Sequence, residues 1–256
     1  MINEAIILAG GLGTRLRAVV ADLPKCMAPV NGIPFIHFIV AYLKKEGITK
    51  FIFALGYKNE VIIEYLDSRF GATDKRYIIE TVPLGTGGAI KAAVKVARNE
   101  NVIVLNGDTL FNVNVAGLAA VHETQNAVCT LSLKEMVRFS RYGSVELNPE
   151  GCIKTFHEKQ YCERGLINGG VYALNVPSFL KELLPEVFSF ENWLEKNTGV
   201  KKICGSIHQN YFIDIGIPAD YDRFRADYNV ILPGKKQDSD PENLVGSFFS
   251  GNLDLL

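Results

Sequence analysis

The sequence has few cysteines and no way to pair them all. Cys26, Cys129, Cys152, Cys162 and Cys204 are an odd number and contain no C-x-x-C spacing. That argues for reduced thiols in a cytoplasm, and against a disulfide framework or a zinc site. No apolar run reaches the ~18 residues that a membrane-spanning helix needs, so no membrane partner is expected. Residues 1–9 read as a strand and lack the basic start and cleavage site of a signal peptide. A net charge of −1 leaves no excess of either sign to hold a nucleic acid or an anionic membrane surface. The four histidines, His37, His122, His157 and His208, show no metal spacing or nucleophile partner and read as structural. No internal repeat, low-complexity tract or clean linker divides the 256 residues, which are enough to bury a substantial core.

What the sequence does have is one organised stretch near its start, EAIILAGGLGTRLRAVVADLPKCMAPV, at residues 4–30. Its apolar run at 5–9 marks a strand buried on both faces. Gly10, Gly11 and Gly13 lack a Cβ and let the backbone approach a ligand closely. Thr14, Arg15, Arg17 and Lys25 add a hydroxyl and cationic groups. Backbone N–H groups with fixed positive charge make a phosphate-binding surface, so this loop is expected to hold a nucleoside triphosphate.

Helices are expected at 34–46, 60–69 and 89–98, alternating with strands at 50–55, 77–81 and 101–105. A glycine-rich turn, PLGTGG, precedes the third helix at 83–88. Repetition of strand, loop and helix predicts the α/β class: a Rossmann-like three-layer α/β/α fold with a mixed, mostly parallel central sheet. Alternating strands at 127–134, 143–147, 153–158 and 166–174 predict an antiparallel portion. Helices at 177–184 and 190–196, strands at 201–207 and 211–215, and a helix at 218–230 complete a domain assigned to 1–232. The tail at 233–256 starts polar and ends in Phe248, Phe249, Leu253, Leu255 and Leu256. It reads as loosely ordered or as a packing arm, and its apolar end suits a homo-oligomer contact.

In an open parallel sheet, ligands bind beyond the carboxyl ends of the strands. Segments 10–15, 83–88 and 106–108 all sit at such ends. The P-loop pattern G-x-x-x-x-G-K-[ST] is absent. Gly11-Leu12-Gly13 also lacks the third glycine of G-x-G-x-x-G, since Leu16 stands there, and no acidic residue ends the second strand. A nicotinamide or flavin enzyme is therefore disfavoured. Arg15 and Lys25 instead suit a triphosphate whose leaving group gains negative charge. Asp108, behind Asn106-Gly107, is placed either for a hard cation such as Mg²⁺ or as a cap on the next segment. Asp214 interrupts an apolar run in YFIDIGIPADY; an unpaired carboxylate there is costly, so a cation or donors should face it. Lys159 can hold a second phosphate, and Glu158 and Asn168 can bind sugar hydroxyls; the plain alternative for Glu158-Lys159 is an exposed strand end.

Taken in order, GGLGTRLR…LPKCMAPV, PLGTGGAI, NGD, EK, NGGVY and FIDIGIPADY resemble the sugar-1-phosphate nucleotidyltransferases (NDP-sugar pyrophosphorylases) across residues 4–230. The wording at 13–30 is most similar to the D-glycero-D-manno-heptose 1-phosphate guanylyltransferases, with Val19-Val20 where many members have proline and threonine. The resemblance implies attack of a sugar 1-phosphate on the α-phosphorus of an NTP, with release of pyrophosphate. GTP and the heptose 1-phosphate are the favoured pair; mannose 1-phosphate guanylyl transfer or uridylyl transfer are the alternatives. It implies that Leu8, Ala9, Gly10, Gly11, Gly13, Thr14, Arg15, Asn106 and Gly107 hold the nucleotide. Glu80, Leu84, Gly85 and Thr86 would border the base, with glycines letting backbone amides reach its edge. Arg15, Lys25 and Asp108 would be catalytic, and Asp108 and Asp214 would bind Mg²⁺. Glu158, Lys159, Asn168, Gly169 and Gly170 would bind the sugar phosphate in the antiparallel portion. Cys26 replaces the proline usual after the lysine. No repeat-rich left-handed β-helix follows, so no acetyltransferase activity is expected. The rival readings are a glycosyltransferase, which would present Asp-x-Asp to its metal, and a silent regulatory subunit.

Overall fold

The structure, a computed structural model, describes residues 1–231 except 12, 14, 17, 18, 21 and 158. The tail expected at 233–256 lies outside the described residues, as do Thr14, Arg17 and Glu158. In chain order the elements begin with β1 (Glu4–Ala9), a 3-10 turn (Lys25–Met27), and a small hairpin of β2 (Pro29–Val30) and β3 (Ile33–Pro34). There follow α1 (Phe35–Lys45), β4 (Lys50–Leu55), α2 (Asn59–Arg69), β5 (Asp74–Ile79), α3 (Gly85–Val94) and β6 (Asn101–Asn106). The middle of the chain holds β7 (Thr109–Phe111), α4 (Val115–Gln125), β8 (Cys129–Phe139), β9 (Ser144–Leu147), β10 (Ile153–His157) and β11 (Cys162–Asn175). The chain closes with α5 (Val176–Leu180), α6 (Phe190–Asn197), β12 (Ile203–Ile207), β13 (Phe212–Asp214) and α7 (Pro218–Ile231).

Strands β5, β4, β1 and β6 lie side by side and parallel, as their apolar runs and intervening helices require. Strand β11 joins antiparallel to β6 and extends the sheet through β8, β9 and β10, while β12 runs parallel to β8. This gives one nine-stranded sheet with a parallel half and a largely antiparallel half. Alternate residues of β1 point to opposite layers. Ala5 and Ile7 pack with α1 and α7, where Phe35, Phe38 and Phe224 meet edge to face. Ile6 packs on the other side with Ile90 of α3 and with Phe190 and Trp193 of α6. Both faces are therefore covered, in a three-layer α/β/α arrangement. Among the described residues, no helix is long and apolar enough to cross a membrane.

The structure departs from the sequence-based boundaries at several elements; α5 ends at Leu180 and not at 184, and β8 continues past 134 to Phe139. Strand β5 lies earlier than 77–81. Helix α3 starts at Gly85, so the glycines of PLGTGG form its first turn instead of preceding it. It also ends before 98, because the amides of Arg98 and Asn99 donate to the buried Glu4 carboxylate at 2.8 Å each. Helix α4 and strand β7, in a stretch with no assigned element, are both formed, the helix held at its start by Asn114, whose side chain accepts from the Gly117 amide at 2.8 Å.

Candidate active site

The carboxyl ends of the parallel strands open on a cleft of about 760 Å³, lined by Leu8 to Gly11, Gly56, Glu80, Thr86 and Asn106 to Asp108 among others. Register brings these ends together: Ala9 pairs with Leu55, and Leu8 with Asn106. Glu80 follows β5, and its amide donates to the Leu55 carbonyl at 2.7 Å. A Cβ on Gly10 would lie 2.6 Å from Glu80 Oε1, so glycine there lets the carboxylate close over the loop. Burial raises the pKa of Glu80, and the Leu84 amide, donating to Oε2 at 3.1 Å, partly opposes this. The cleft thus offers the backbone groups of the glycine loop and, closed over that loop, a hydrogen-bond acceptor.

A second cavity of about 370 Å³ lies under the antiparallel half, lined by Arg141, Tyr142, Lys159, Asn168, Glu191 and Asp214 among others. Asn106 lines both cavities. At their seam, the Lys25 ammonium donates to Asp108 Oδ2 and lies 3.6 Å from Asp214 Oδ1. Pairing of β13 with β7 puts Asp214 opposite Thr109, and the Ile215 amide donates to the Asp108 carbonyl at 3.0 Å. Two carboxylates a hundred residues apart are thereby brought onto one ammonium. Burial first, and then the charge of Asp108, push the pKa of Asp214 up; Lys25, the Gly216 amide at 2.7 Å and Arg141 oppose the shift. Arg141 is itself braced, donating to the Asp220 carboxylate and to the Tyr142 hydroxyl at 2.9 Å. Among the described residues, no group of three or more His, Cys, Asp or Glu side chains is gathered to enclose a metal. Two carboxylates at the edge of the glycine-lined cleft have the chemistry that would suit Mg²⁺, which takes its remaining ligands from ligand oxygens and water.

Residues 4–211 match the family described as Nucleotidyl transferase. The chain belongs to the nucleotidyl transferase family. It is 50% identical over 219 residues to the D-glycero-alpha-D-manno-heptose 1-phosphate guanylyltransferase of Aneurinibacillus thermoaerophilus, covering 85% of this chain and 95% of that one. The Campylobacter jejuni protein of the same name is 47% identical, with 86% and 98% covered. Among solved structures, HddC from Yersinia pseudotuberculosis superposes with a TM-score of 0.79 at 34% identity, covering 89% of this chain and all of that one. A second structure of HddC, complexed with GMP-PN, aligns with a TM-score of 0.78.

In this nucleotidyl transferase the structure gathers most of the residues singled out from sequence. Leu8, Ala9, Gly10, Gly11, Gly13, Lys25, Glu80, Gly85, Thr86, Asn106, Gly107 and Asp108 line the first cleft. Lys159, Asn168, Gly169, Gly170 and Asp214 line the second cavity. Arg15 is exposed and lines neither, and Leu84 meets Glu80 through its amide without lining the cleft. Of the α3 glycines, Gly85 lines the cleft, while Gly87 and Gly88 also meet a distant segment. The Gly87 amide donates to the Phe188 carbonyl at 2.9 Å, and a Cβ on Gly88 would fall 2.2 Å from the Glu186 carbonyl oxygen. Small residues there admit the 186–188 segment against the helix. Arg141, Tyr142 and Glu191 were missed from sequence; the run Arg141-Tyr142-Gly143 between two strands was the one local signal.

Proposed function

We propose that the protein transfers a guanylyl group from GTP to D-glycero-D-manno-heptose 1-phosphate, releasing pyrophosphate and forming the GDP-sugar. The observation that carries this reading is the Lys25 ammonium held by Asp108 and Asp214 at the seam of two cavities. The names of the two relatives near 50% identity support the choice of base and sugar. Glu80 supports guanine, since its carboxylate can accept from the N1–H and N2–H₂ edge.

The sugar phosphate is already an anion, so its oxygen attacks the α-phosphorus without a general base. The new O–P bond forms as the bond to the β-phosphate oxygen breaks, and the electron pair leaves with pyrophosphate. The chain's task is to align two polyanions and neutralise them. Gly10, Gly11, Gly13 and Thr14 hold the triphosphate, Lys25 meets the reacting phosphates, and Arg15 supplies a cation from the open side. Lys159 and Arg141 draw the sugar phosphate to the seam, while Glu158 and Asn168 meet its hydroxyls. Asp108 and Asp214 would hold Mg²⁺, which when bound would neutralise phosphate charge. The odd cysteine count without a C-x-x-C pair and the nucleotide substrate support a cytoplasmic setting. Asp108→Asn is expected to lower turnover by about 10²–10³-fold while the melting temperature stays near that of the unmodified protein. Near-normal turnover of that variant at saturating Mg²⁺ would refute the role given to Asp108.

A further inference from the structure

The two cavities touch at a second place, away from Lys25. Thr86, in the first turn of α3, lines the nucleotide cleft, and its hydroxyl donates to Glu191 Oε2 at 2.8 Å. Glu191, in the first turn of α6, lines the other cavity. The Ser189 hydroxyl donates to the same oxygen at 2.7 Å, and Thr86 Oγ1 accepts from the Phe190 amide at 2.8 Å. Oε2 is thus saturated by two hydroxyls, and the carboxylate is fixed at both its hinge and its neighbour. Among the described residues, Oε1 makes no hydrogen bond. A carboxylate oriented this firmly, with one oxygen left over, is an acceptor prepared for a ligand.

Charge across that cavity says which part of a ligand it meets. The lining cations are Arg141 and Lys159. Helix α6 contributes Glu191 and Glu195, four residues apart and so on one face, with Asn192 beside them. Asp214 also lines the cavity, but its charge is met by Lys25 at 3.6 Å and by Arg141, so the carboxylates left to repel a phosphate are the two on α6. A phosphate is drawn to the cations and repelled by those two carboxylates. The uncharged, hydroxyl-bearing part of a sugar phosphate therefore turns toward α6. We propose that Glu191 is a specificity-determining residue, its Oε1 accepting a hydrogen bond from a sugar hydroxyl remote from the phosphate. This rests on the reading of the second cavity as the sugar phosphate site. The hydroxyls of Thr86 and Ser189 act as positioning groups that aim the carboxylate. Through Thr86 the contact is tied to the wall of the nucleotide cleft.

The test is steady-state pyrophosphate release by the full-length chain with GTP, the heptose 1-phosphate and its monodeoxy analogues. A hydrogen bond to a charged acceptor is worth roughly a 10- to 100-fold change in affinity. Glu191→Gln is therefore expected to raise the KM for the sugar phosphate by about that factor, leaving the KM for GTP within about threefold. One deoxy position should cost the unmodified enzyme the same factor and cost Glu191→Gln nothing more. A merely structural role would not produce that non-additivity. The proposal is overturned by an unchanged sugar KM, by deoxy losses that add in full to the variant's, or by a rise in the GTP KM matched by 2′-deoxy-GTP. Should Glu191→Gln fail to fold, Glu191→Asp, which withdraws the carboxylate by one methylene, must show the same selective loss, and an unchanged sugar KM there is equally fatal. If the unmodified protein turns over no sugar 1-phosphate, the transfer reading itself has failed. Turnover with no difference in the variant refutes only the Glu191 contact.

Discussion

Replacing Gly88 by alanine separates two readings of the PLGTGG segment by sign. Gly88 is in the interior of α3, where alanine is favoured by roughly 1 kcal/mol on intrinsic propensity. If the glycine were there only to free a ligand-binding turn, the substitution would stabilise the fold. The added Cβ, however, would lie 2.2 Å from the Glu186 carbonyl oxygen and 2.8 Å from Leu84 Cβ. One obstacle is backbone, so the 186–188 segment must move. Its anchors are the Phe188 amide on the Leu84 carbonyl at 3.0 Å, the Gly87 amide on the Phe188 carbonyl at 2.9 Å, and Lys91 on the Glu186 carboxylate at 2.5 Å. Overpacking costs about 1–3 kcal/mol, and a weakened backbone hydrogen bond about 1 kcal/mol. After the helical gain, a net loss of about 2 kcal/mol remains, or a fall of about 4–8 °C in melting temperature for a domain of this size. Gly11→Ala is the control, because its Cβ would meet nothing within 4 Å. It should leave the melting temperature within about 2 °C and weaken GTP binding instead. Thermal unfolding followed by circular dichroism decides the matter: a Gly88→Ala protein as stable as the parent, or more so, would refute the packing role.

The remaining expectations concern charge buried elsewhere. Glu4 is fully buried and accepts from Arg76 at 2.7 Å and from two backbone amides. Glu4→Ala should cost about 3–5 kcal/mol by urea unfolding, since it strands a cation and two donors; a loss below about 1 kcal/mol would contradict that account. His122 is buried between Thr130, at 2.9 Å, and Asn101, at 3.2 Å, and burial pushes its pKa down to about 4. Because the unfolded chain binds the proton more readily, stability should fall as pH drops from about 6.5 toward 4, by about 2–3 kcal/mol from this residue. His122→Gln should flatten that slope, and an identical pH profile in the variant would count against it.

The parts of this architecture that were legible in the sequence are those carried by local pattern. Strands β1, β4 and β6 are continuous apolar runs, and the glycines and Asp108 at their ends follow once the sheet is taken as parallel. Asp214 announced itself as a charge inside an apolar run, but its meeting with Lys25 depends on β13 pairing with β7, which no local pattern encodes. Glu191 was hidden for the same reason, since its partner Thr86 is 105 residues away. Helix α4 was passed over because Gly117 and its alanines blur the apolar stripe of Val115, Leu118 and His122. The glycines of α3 were legible only in part. Locally they look like a turn made for a ligand, and Gly85 does line the cleft; that the 186–188 segment leaves Gly87 and Gly88 no room for a side chain is visible only in the fold.

The central claim is tested most directly by pyrophosphate release measured over a grid of four NTPs and several sugar 1-phosphates, with Mg²⁺ present. The account predicts the highest kcat/KM for GTP with D-glycero-D-manno-heptose 1-phosphate, by about tenfold or more over mannose 1-phosphate or another base. Absence of pyrophosphate from every pair, or a clear preference for a base that cannot donate to Glu80, would contradict it.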